Sequence, residues 1–357
     1  MKYKIVSLFS GAGGLDKGFE KEKFEIIWAN ENDKKIVSTF QHNFPKVFLD
    51  TRSISDIPTG DIPDADGIIG GPPCQSWSAA GSHRGIDDSR GRLFLEDYVR
   101  IIRRKKPKFF LAENVPGIEY AKHNDSFYAI LNNLRKIGYN ISYKVYNTHD
   151  YGVAQSRKRL VIVGYASGYE DHFELQDFKG RRKYLKDVIF DLKDNAVPAL
   201  NRTQPNPDVK FLNHEFNNTP LDKNSFHYMS RNRVREWCEP SFTIPATGRH
   251  VPQHPNAPKM TPKLDKNGNK VVNVMIFAPK SKNKYRRLSV RECARIQGFG
   301  DKFKFIYDNV DHGYKMIGNA VPVQFATCIA KQIKMDLKRF NNMKLSFRKK
   351  GTIKKLP

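Results

Sequence analysis

The sequence predicts an α/β fold, in which a mostly parallel β-sheet carries helices and is joined to a smaller, loop-rich domain. Short apolar segments alternate with helix-like stretches through the first half of the chain, as in β-α-β units. Polar residues follow directly after several of these segments, where open α/β sheets bind their ligands. Beyond residue 180 the chain becomes rich in Asn, Pro, Lys and Arg and loses helical periodicity.

The apolar runs place the predicted elements along the chain. The predicted strands are Lys4–Phe9, Glu25–Ala29, Ala65–Ile69, Lys108–Ala112 and Leu160–Gly164. A glycine-rich turn separates the first strand from a predicted helix over Leu15–Lys23. Residues 288–297 resume a helical pattern, and the apolar stripe from Val323 to Ile333 predicts a helix that packs back onto the first domain.

The composition indicates a partner with many negative charges. The 357 residues carry a formal net charge of +25, and 39% of them are hydrophobic, enough for a real core. So large a positive excess is typical of nucleic-acid binding, although a merely basic surface is the simpler alternative. No apolar run has membrane-spanning length, and the N-terminal run is too short for a signal peptide.

The four cysteines argue against a zinc site or a disulfide framework, because they are far apart and form no C-x-x-C pair. Free thiols are typical of a reducing cytosol. The cysteines are Cys74, Cys238, Cys293 and Cys328.

The run Phe-Ser-Gly-Ala-Gly-Gly at residues 9–14 predicts a ligand-binding turn, because glycines let the backbone approach a ligand closely. Glu31 follows the second strand, where an acid can bind ribose hydroxyls. Asp16 occupies the third glycine position of the dinucleotide-binding pattern, and a carboxylate there would repel a pyrophosphate. The run therefore favours a nucleoside cofactor without phosphates, and a turn used only for packing is the alternative.

Three further segments carry reactive side chains. Cys74 lies in Gly-Pro-Pro-Cys-Gln-Ser-Trp-Ser (residues 71–78), just past a strand, where thiolates are favoured. A single cysteine is more often a buried apolar side chain, but these polar surroundings favour exposure. Glu113 ends a strand and could equally be a helix cap or an ion-pair partner. Arg157 and Arg159 alternate, so in an extended chain they share a face, or else belong to a solvated basic run.

In their order along the chain, these segments resemble the motifs of the bacterial cytosine-5 DNA methyltransferases. The resemblance continues in Arg-Glu-Cys-Ala-Arg at 291–295 and Gly-Asn-Ala-Val-Pro at 318–322, and so spans residues 4 to about 335. It implies a Rossmann-like catalytic domain over 1–180 that binds S-adenosylmethionine (SAM), and a target-recognition domain with its hinge over 181–300. Residues 301–340 would return to the catalytic domain, and 341–357 would be a frayed basic tail.

The resemblance also implies the catalytic residues. In such enzymes the target cytosine is flipped out of the helix. Cys74 would attack carbon 6, so that carbon 5 can accept the methyl group. Glu113 would meet the N3 and N4 edge of the base, and Arg157 and Arg159 would lie near its O2 and the active-site loop. No metal is implied.

The cofactor of the family is SAM, with S-adenosylhomocysteine (SAH) as product. Phe9 would stack near the adenine, Glu31 would hold the ribose, and Asp50 would lie near the adenine amino group. The residues implied along the rest of the cofactor are Ser10, Gly11, Gly13, Leu15, Pro72, Asn319 and Val321.

Five residues are predicted to contact double-stranded DNA. Ser78 lies in the segment 75–95, which is predicted to close over the flipped base. Arginine forks match guanine O6 and N7, although phosphate contacts are the common alternative. The arginines are Arg231, Arg233, Arg235 and Arg249. Their segments, with Gly-Ile-Asp-Asp at 85–88, resemble the subgroup that recognises GGCC and methylates its inner cytosine.

The family further implies a monomer in the bacterial cytoplasm, with a cognate restriction endonuclease that does not bind it physically and no membrane partner. Three other functions remain as alternatives. A nucleotide-cofactor oxidoreductase would leave the Pro-Pro-Cys and Glu-Asn-Val segments unexplained. A transfer-RNA cytosine-5 methylase would have a smaller recognition region than the stretch of about 100 residues here. A non-catalytic DNA-binding protein would not need the four catalytic residues.

Overall fold

The computed structural model describes residues 2–73, 93–119, 124–169, 172–220 and 228–349, with only the backbone described for 124, 282 and 343–349. Two predicted site residues, Cys74 and Ser78, lie outside these ranges, as do the proposed closing segment up to residue 92 and the end of the basic tail.

A seven-stranded sheet with the order β3-β2-β1-β4-β5-β7-β6 forms the centre of the molecule. Four of its pairings are parallel, and β7 runs antiparallel to both β5 and β6. The prediction of an α/β fold with a mostly parallel sheet is therefore confirmed. The strands are β1 (Lys4–Leu8), β2 (Glu25–Asn30), β3 (Phe48–Asp50), β4 (Gly67–Gly70), β5 (Phe109–Asn114), β6 (Tyr139–Asn147) and β7 (Lys158–Ala166).

The sequences of the central strands are continuous apolar runs because helices cover both faces of the sheet. All six residues of β5 and all four of β4 are buried. The parallel arrangement brings the carboxyl ends of β1, β2, β4 and β5 to one edge, and the predicted site residues follow these ends.

Eight α-helices occur in the described part of the chain. A single π-helical turn at Phe94–Tyr98 leads into the third of them. The helices are α1 (Gly14–Lys21), α2 (Lys34–Asn43), α3 (Val99–Lys105), α4 (Asn124–Lys136), α5 (Leu185–Ile189), α6 (Val290–Ile296), α7 (Val310–Asn319) and α8 (Val323–Lys349). None of the helices in the described ranges is long and apolar enough to cross a membrane.

The long helix α8 packs against α1, as the apolar stripe predicts. The backbones approach closely, since a Cβ on Gly18 would clash with Ala326. The helix continues to Lys349, into the segment expected to be frayed. Phe340 anchors this last part by packing edge-on against Tyr165 and Tyr169.

The region between α5 and α6 has little regular structure, as its composition predicts. Two short strands, β8 (Val197–Pro198) and β9 (Glu215–Phe216), pair in parallel, and β10 (Thr261–Leu264) and β11 (Lys270–Ile276) form an antiparallel hairpin. One hydrophobic cluster joins α2, α6 and α7 with Ile244 and Val251 of the loop-rich region. The returning helices thus bridge the two halves of the molecule.

Candidate active site and cofactor cavity

A cavity of about 380 Å³ lies at the carboxyl ends of β1, β2, β4 and β5. It extends from the glycine-rich turn to the end of α7 and to Val321, which precedes α8. Nine of the residues predicted from sequence line it: Phe9, Ser10, Gly11, Leu15, Glu31, Pro72, Glu113, Asn319 and Val321. The tertiary structure thus brings residues from both ends of the chain to one cavity.

The glycine-rich turn requires its glycines at specific places. Gly11 and Gly13 have φ angles of 56° and 86°, in the left-handed region that favours glycine. A Cβ on Gly13 would clash with the ring of Phe44, and one on Gly14 with the carbonyl of Val321. Gly13 therefore shapes the turn without lining the cavity.

Glu31 is held rigidly at the end of β2. Its Oε2 accepts a hydrogen bond from the Gly11 amide at 2.9 Å, and its Oε1 accepts one from the Asp33 amide at 2.8 Å. Burial raises the pKa of this carboxyl, and the two amide hydrogen bonds oppose the rise. The carboxylate keeps spare lone pairs, so it can still accept from ribose hydroxyls.

An ion pair ties the end of β2 to α7 at the cavity wall. The Nζ of Lys315 lies 2.6 Å from Asp33 Oδ2, and this pairing helps to hold the pKa of Asp33 below its usual value although partial burial opposes it. Both side chains line the cavity, although the sequence did not single them out.

Asp50 lies at the end of β3 but is not among the residues that line the cavity. Its carboxylate is buried and binds Arg52 through both oxygens, at 3.1 Å from Nε to Oδ1 and 2.7 Å from Nη2 to Oδ2. The Arg52 guanidinium holds the pKa of this carboxyl below its usual value. The role of Asp50 near the adenine amino group stays a prediction.

Two buried polar side chains of the cavity wall, Ser7 and Asp16, were not predicted as site residues. Their exposed fractions are 1% and 0%, and both line the cavity. No hydrogen bond of ordinary geometry reaches the Ser7 Oγ or either Asp16 carboxyl oxygen from the described residues. Burial raises the pKa of Asp16 to about 7, and the Ser7 hydroxyl and the Asp16 amide oppose the rise. A sequence signal exists, since Ser7 interrupts an apolar strand.

Glu113, the residue before the last of β5, also lines the cavity. Its Oε1 lies 2.7 Å from Arg159 Nε, and only 8% of the residue is exposed. A Cβ on Gly71 would lie 3.3 Å from its Oε2, so the carboxylate lies against the segment that leads into Cys74. The neighbouring Asn114 donates to the Pro72 carbonyl at 3.3 Å and fastens that segment to β5.

The two predicted catalytic arginines have different partners. Arg159 pairs with Glu113, whereas Arg157 is 1% exposed and does not line the cavity. The guanidinium of Arg157 donates to three carbonyl oxygens: Ile244 at 3.3 Å, Gly318 at 2.7 Å and Ala320 at 3.3 Å. Arg157 thereby links the segment before β7, the loop-rich region and the turn between α7 and α8.

Three of the predicted DNA-binding arginines, Arg231, Arg233 and Arg235, line one depression of about 160 Å³. The Arg233 Nε donates to the Tyr228 carbonyl at 2.8 Å, and its guanidinium lies 4.7 Å from the Tyr228 ring centre. Arg235 lies 2.8 Å from Glu239 and 4.0 Å from the Phe242 ring centre.

Arg231 and Arg249 are the exposed members of the set. Among the described residues, Arg231 has no hydrogen bond or ion pair. Arg249 lies in a single 3₁₀ turn, Gly248–His250, which packs closely against α7. The approach is so close that a Cβ on Gly248 would clash with Asp311 and Tyr314.

Comparisons with known proteins show which family the chain matches. Residues 3–335 match the family described as C-5 cytosine-specific DNA methylase. The chain is 49% identical over 353 residues to the type II methyltransferase M.FnuDI of Fusobacterium nucleatum, covering 97% of this chain and 98% of that protein. It is 50% identical over 343 residues to M.NgoPII of Neisseria gonorrhoeae, covering 94% and 96%.

Solved structures show the same fold. A putative DNA modification methyltransferase from an Escherichia coli prophage superposes with a TM-score of 0.70 at 23% identity, covering 94% of this chain and all of that one. The DNMT2 of Spodoptera frugiperda superposes with a TM-score of 0.63 at 17% identity, with coverage of 94% and 100%.

Proposed function

The chain belongs to the C-5 cytosine-specific DNA methylases, and we propose that it transfers the methyl group of SAM to the inner cytosine of GGCC in double-stranded DNA. The observation that carries this proposal is one continuous cavity. It joins the turn beside Glu31, where a nucleoside would bind, to Glu113 and Pro72, beside which Cys74 follows in the chain.

The cavity wall fits SAM better than a phosphate-bearing nucleotide. Four acids line it, and the one lysine among its described lining residues is already paired with Asp33. SAM has no phosphate and carries positive charge on its sulfonium and ammonium groups. When bound, it supplies a methyl group activated for transfer to carbon.

The protein residues would act on the cytosine. The thiolate of Cys74 adds to carbon 6, which makes carbon 5 nucleophilic enough to accept the methyl group. Glu113, held by Arg159, shares a proton with N3 and so withdraws electrons from the ring as the thiolate attacks. A base then removes the carbon 5 proton, and the thiol is eliminated. The target base must leave the duplex to reach this cavity.

The proposed specificity rests on the recognition segments. Arg231, Arg233 and Arg235 share one depression, where arginine forks could read guanines in the major groove. The relatives that match over most of their length are named type II methyltransferases. We therefore propose that the chain protects DNA in a type II restriction–modification system, acting as a monomer in the bacterial cytoplasm.

The test combines tritiated SAM, plasmid DNA and digestion with an endonuclease that methylation of GGCC blocks. Label in the plasmid with protection at GGCC is the expected result. Label without protection would contradict the specificity, and label only in transfer RNA would move the protein to an RNA substrate.

Cys74→Ser tests the nucleophile in the same assay. This variant should lose methyl transfer and keep binding SAM and DNA, because a hydroxyl is a far weaker nucleophile than a thiolate. The matched control is Cys238→Ser, which changes an exposed free cysteine of the loop-rich region and should remain active. Normal turnover by Cys74→Ser would exclude the thiol from the reaction.

A further inference from the structure

Asp16 is a buried acid of the cofactor cavity that the reaction described above does not use. It is the third residue of α1, directly after the glycine-rich turn, and its side chain is fully buried. No hydrogen bond of ordinary geometry reaches either carboxyl oxygen, or the Oγ of its neighbour Ser7, from the described residues. The Ser7 hydroxyl and the Asp16 amide lie near enough to oppose the effect of burial on the carboxyl, but only in part. Both residues line the cavity.

The other acids of the cavity wall all have partners. Glu31 accepts hydrogen bonds from two backbone amides, at 2.9 and 2.8 Å. Asp33 pairs with Lys315 at 2.6 Å. Glu113 pairs with Arg159 at 2.7 Å. Asp16 is thus the acid of this wall whose partner is missing within the described residues.

A lone buried carboxylate is unfavourable, and an asparagine would fill nearly the same volume without the charge. No lysine, arginine or histidine of the described residues acts on Asp16; Glu20, on the next turn of α1, is the one charged group that does, and it raises the pKa further. The positive end of the α1 dipole favours the anion only slightly. A cationic ligand would supply the missing partner.

The position of Asp16 selects one end of the cofactor. Gly14 of α1 is packed against the carbonyl of Val321, one of the residues that the family resemblance implies along the part of the cofactor beyond the adenosine. The amino-acid part of the proposed cofactor would lie there. Its ammonium group can donate hydrogen bonds to a carboxylate and a hydroxyl, whereas a sulfonium cannot donate at all.

We propose that Asp16, together with Ser7, binds the α-ammonium group of the amino-acid part of the cofactor. The inference rests on the proposed cofactor and names a contact for it. The carboxylate receives the ammonium as a charge-assisted hydrogen-bond partner, and Ser7 offers its hydroxyl oxygen as a second acceptor.

The experiment measures equilibrium binding to the full-length protein by calorimetry, without DNA. The probes are SAM, SAH and 5′-methylthioadenosine, and the last of these keeps the adenosine and lacks the amino acid. Asp16→Asn should weaken SAH binding at least tenfold and leave methylthioadenosine binding unchanged. The matched control is Glu25→Gln, an exposed acid at the first residue of β2, at the opposite end of that strand from the cavity, which should bind the probes as the wild type does.

The pH dependence provides a second readout. Asp16 must lose its proton to receive the ammonium, and its pKa of about 7 places this loss near neutral pH. Wild-type affinity for SAH should therefore rise about tenfold between pH 6 and pH 8. The rise should be much smaller in Asp16→Asn, in which the other titratable acids of the wall, Glu31, Asp33 and Glu113, remain.

Three results would overturn the inference. The first is Asp16→Asn binding SAH as tightly as wild type. The second is an equal loss for SAH and methylthioadenosine, which would mark a general disturbance of the cavity. The third is a loss for SAM with none for SAH, which would place Asp16 at the sulfonium. Failure of the wild-type protein to bind SAM or SAH would instead contradict the proposed function.

Discussion

At the scale of single residues, the ion pair between Arg159 and Glu113 is the contact that most directly shapes the proposed chemistry. The Arg159 Nε occupies one carboxylate oxygen, Oε1. The other oxygen lies beside Gly71 and remains available for the edge of a base. The arginine thereby orients the acid as well as balancing its charge.

Replacing Glu113 by Gln tests this arrangement. The amide keeps the shape but cannot share a proton with N3, so the methylation rate should fall by a factor of about 10² or more. SAM binding should stay within twofold of wild type. Single-turnover methylation and calorimetry measure the two effects, and Glu119→Gln, a half-buried acid beyond β5, is the control. An unchanged rate would exclude Glu113 from proton sharing.

The recognition arginines differ in how much the fold depends on them. Arg233 is bound to the Tyr228 carbonyl and ring, whereas Arg231 is exposed and has no partner among the described residues. Arg231→Ala should reduce discrimination between cognate and altered sites by about 1–3 kcal/mol without changing the unfolding midpoint. Arg233→Ala should also lower that midpoint. Equal loss of affinity of Arg231→Ala for all DNA sequences would indicate a phosphate contact instead.

At the scale of elements, Arg157 connects three segments that are distant in sequence. Its guanidinium binds carbonyls of Ile244, Gly318 and Ala320, two of which flank Asn319 at the cavity. These partners lie far from Arg157 in sequence, so the local pattern of the chain around Arg157 does not predict them. The geometry points to a role in positioning the turn between α7 and α8.

Arg157→Lys should therefore destabilise the protein, because an ammonium cannot reach three carbonyls at once. We expect a loss of about 2–3 kcal/mol in the free energy of unfolding, measured by urea denaturation. SAM affinity should fall in parallel, as the Asn319 turn loosens. The neighbouring exposed Lys158→Gln is the control and should be neutral. Full stability in Arg157→Lys, with activity lost, would instead support direct contact with the substrate.

At the scale of the whole molecule, burial of Asp16 in the cofactor cavity makes the stability of the fold depend on pH. The pKa of Asp16 is about 7 in the folded protein, above its usual 3.8. The folded state therefore holds this proton more tightly than the unfolded state. Through this residue, stability falls as pH rises from about 4 to about 7 and is level above that.

Asp16→Asn should remove this dependence. The difference in unfolding free energy between variant and wild type should grow between pH 4 and pH 7, by an amount on the order of 4 kcal/mol in favour of the variant. Denaturation at several pH values without ligand measures it. The Glu25→Gln control should show no such trend. A variant less stable than wild type at pH 7 would show that the carboxylate stabilises the fold.

Much of this molecule follows from local sequence pattern. Apolar runs locate the strands β1, β2, β4, β5 and β7, because the burial of a central strand on both faces requires them. Glycines at 11 and 13 specify the turn through their φ angles. The order of the motifs, from the glycine-rich turn to Gly318–Pro322, is enough to identify the family. The candidate residues at strand ends then meet in one cavity because parallel strands end at one edge.

Only the tertiary structure decided which charge meets which partner. Arg157 and Arg159 look equivalent in sequence, yet one binds distant carbonyls and the other binds Glu113. Asp50 forms an ion pair with Arg52, whereas Asp16 lies beside Ser7 without an ion-pair partner among the described residues. The physical reason is the distance along the chain between the residues that determine each property. Strand period and turn geometry are local properties of the backbone, whereas the burial and pairing of a charge depend on residues that folding brings from far along the chain.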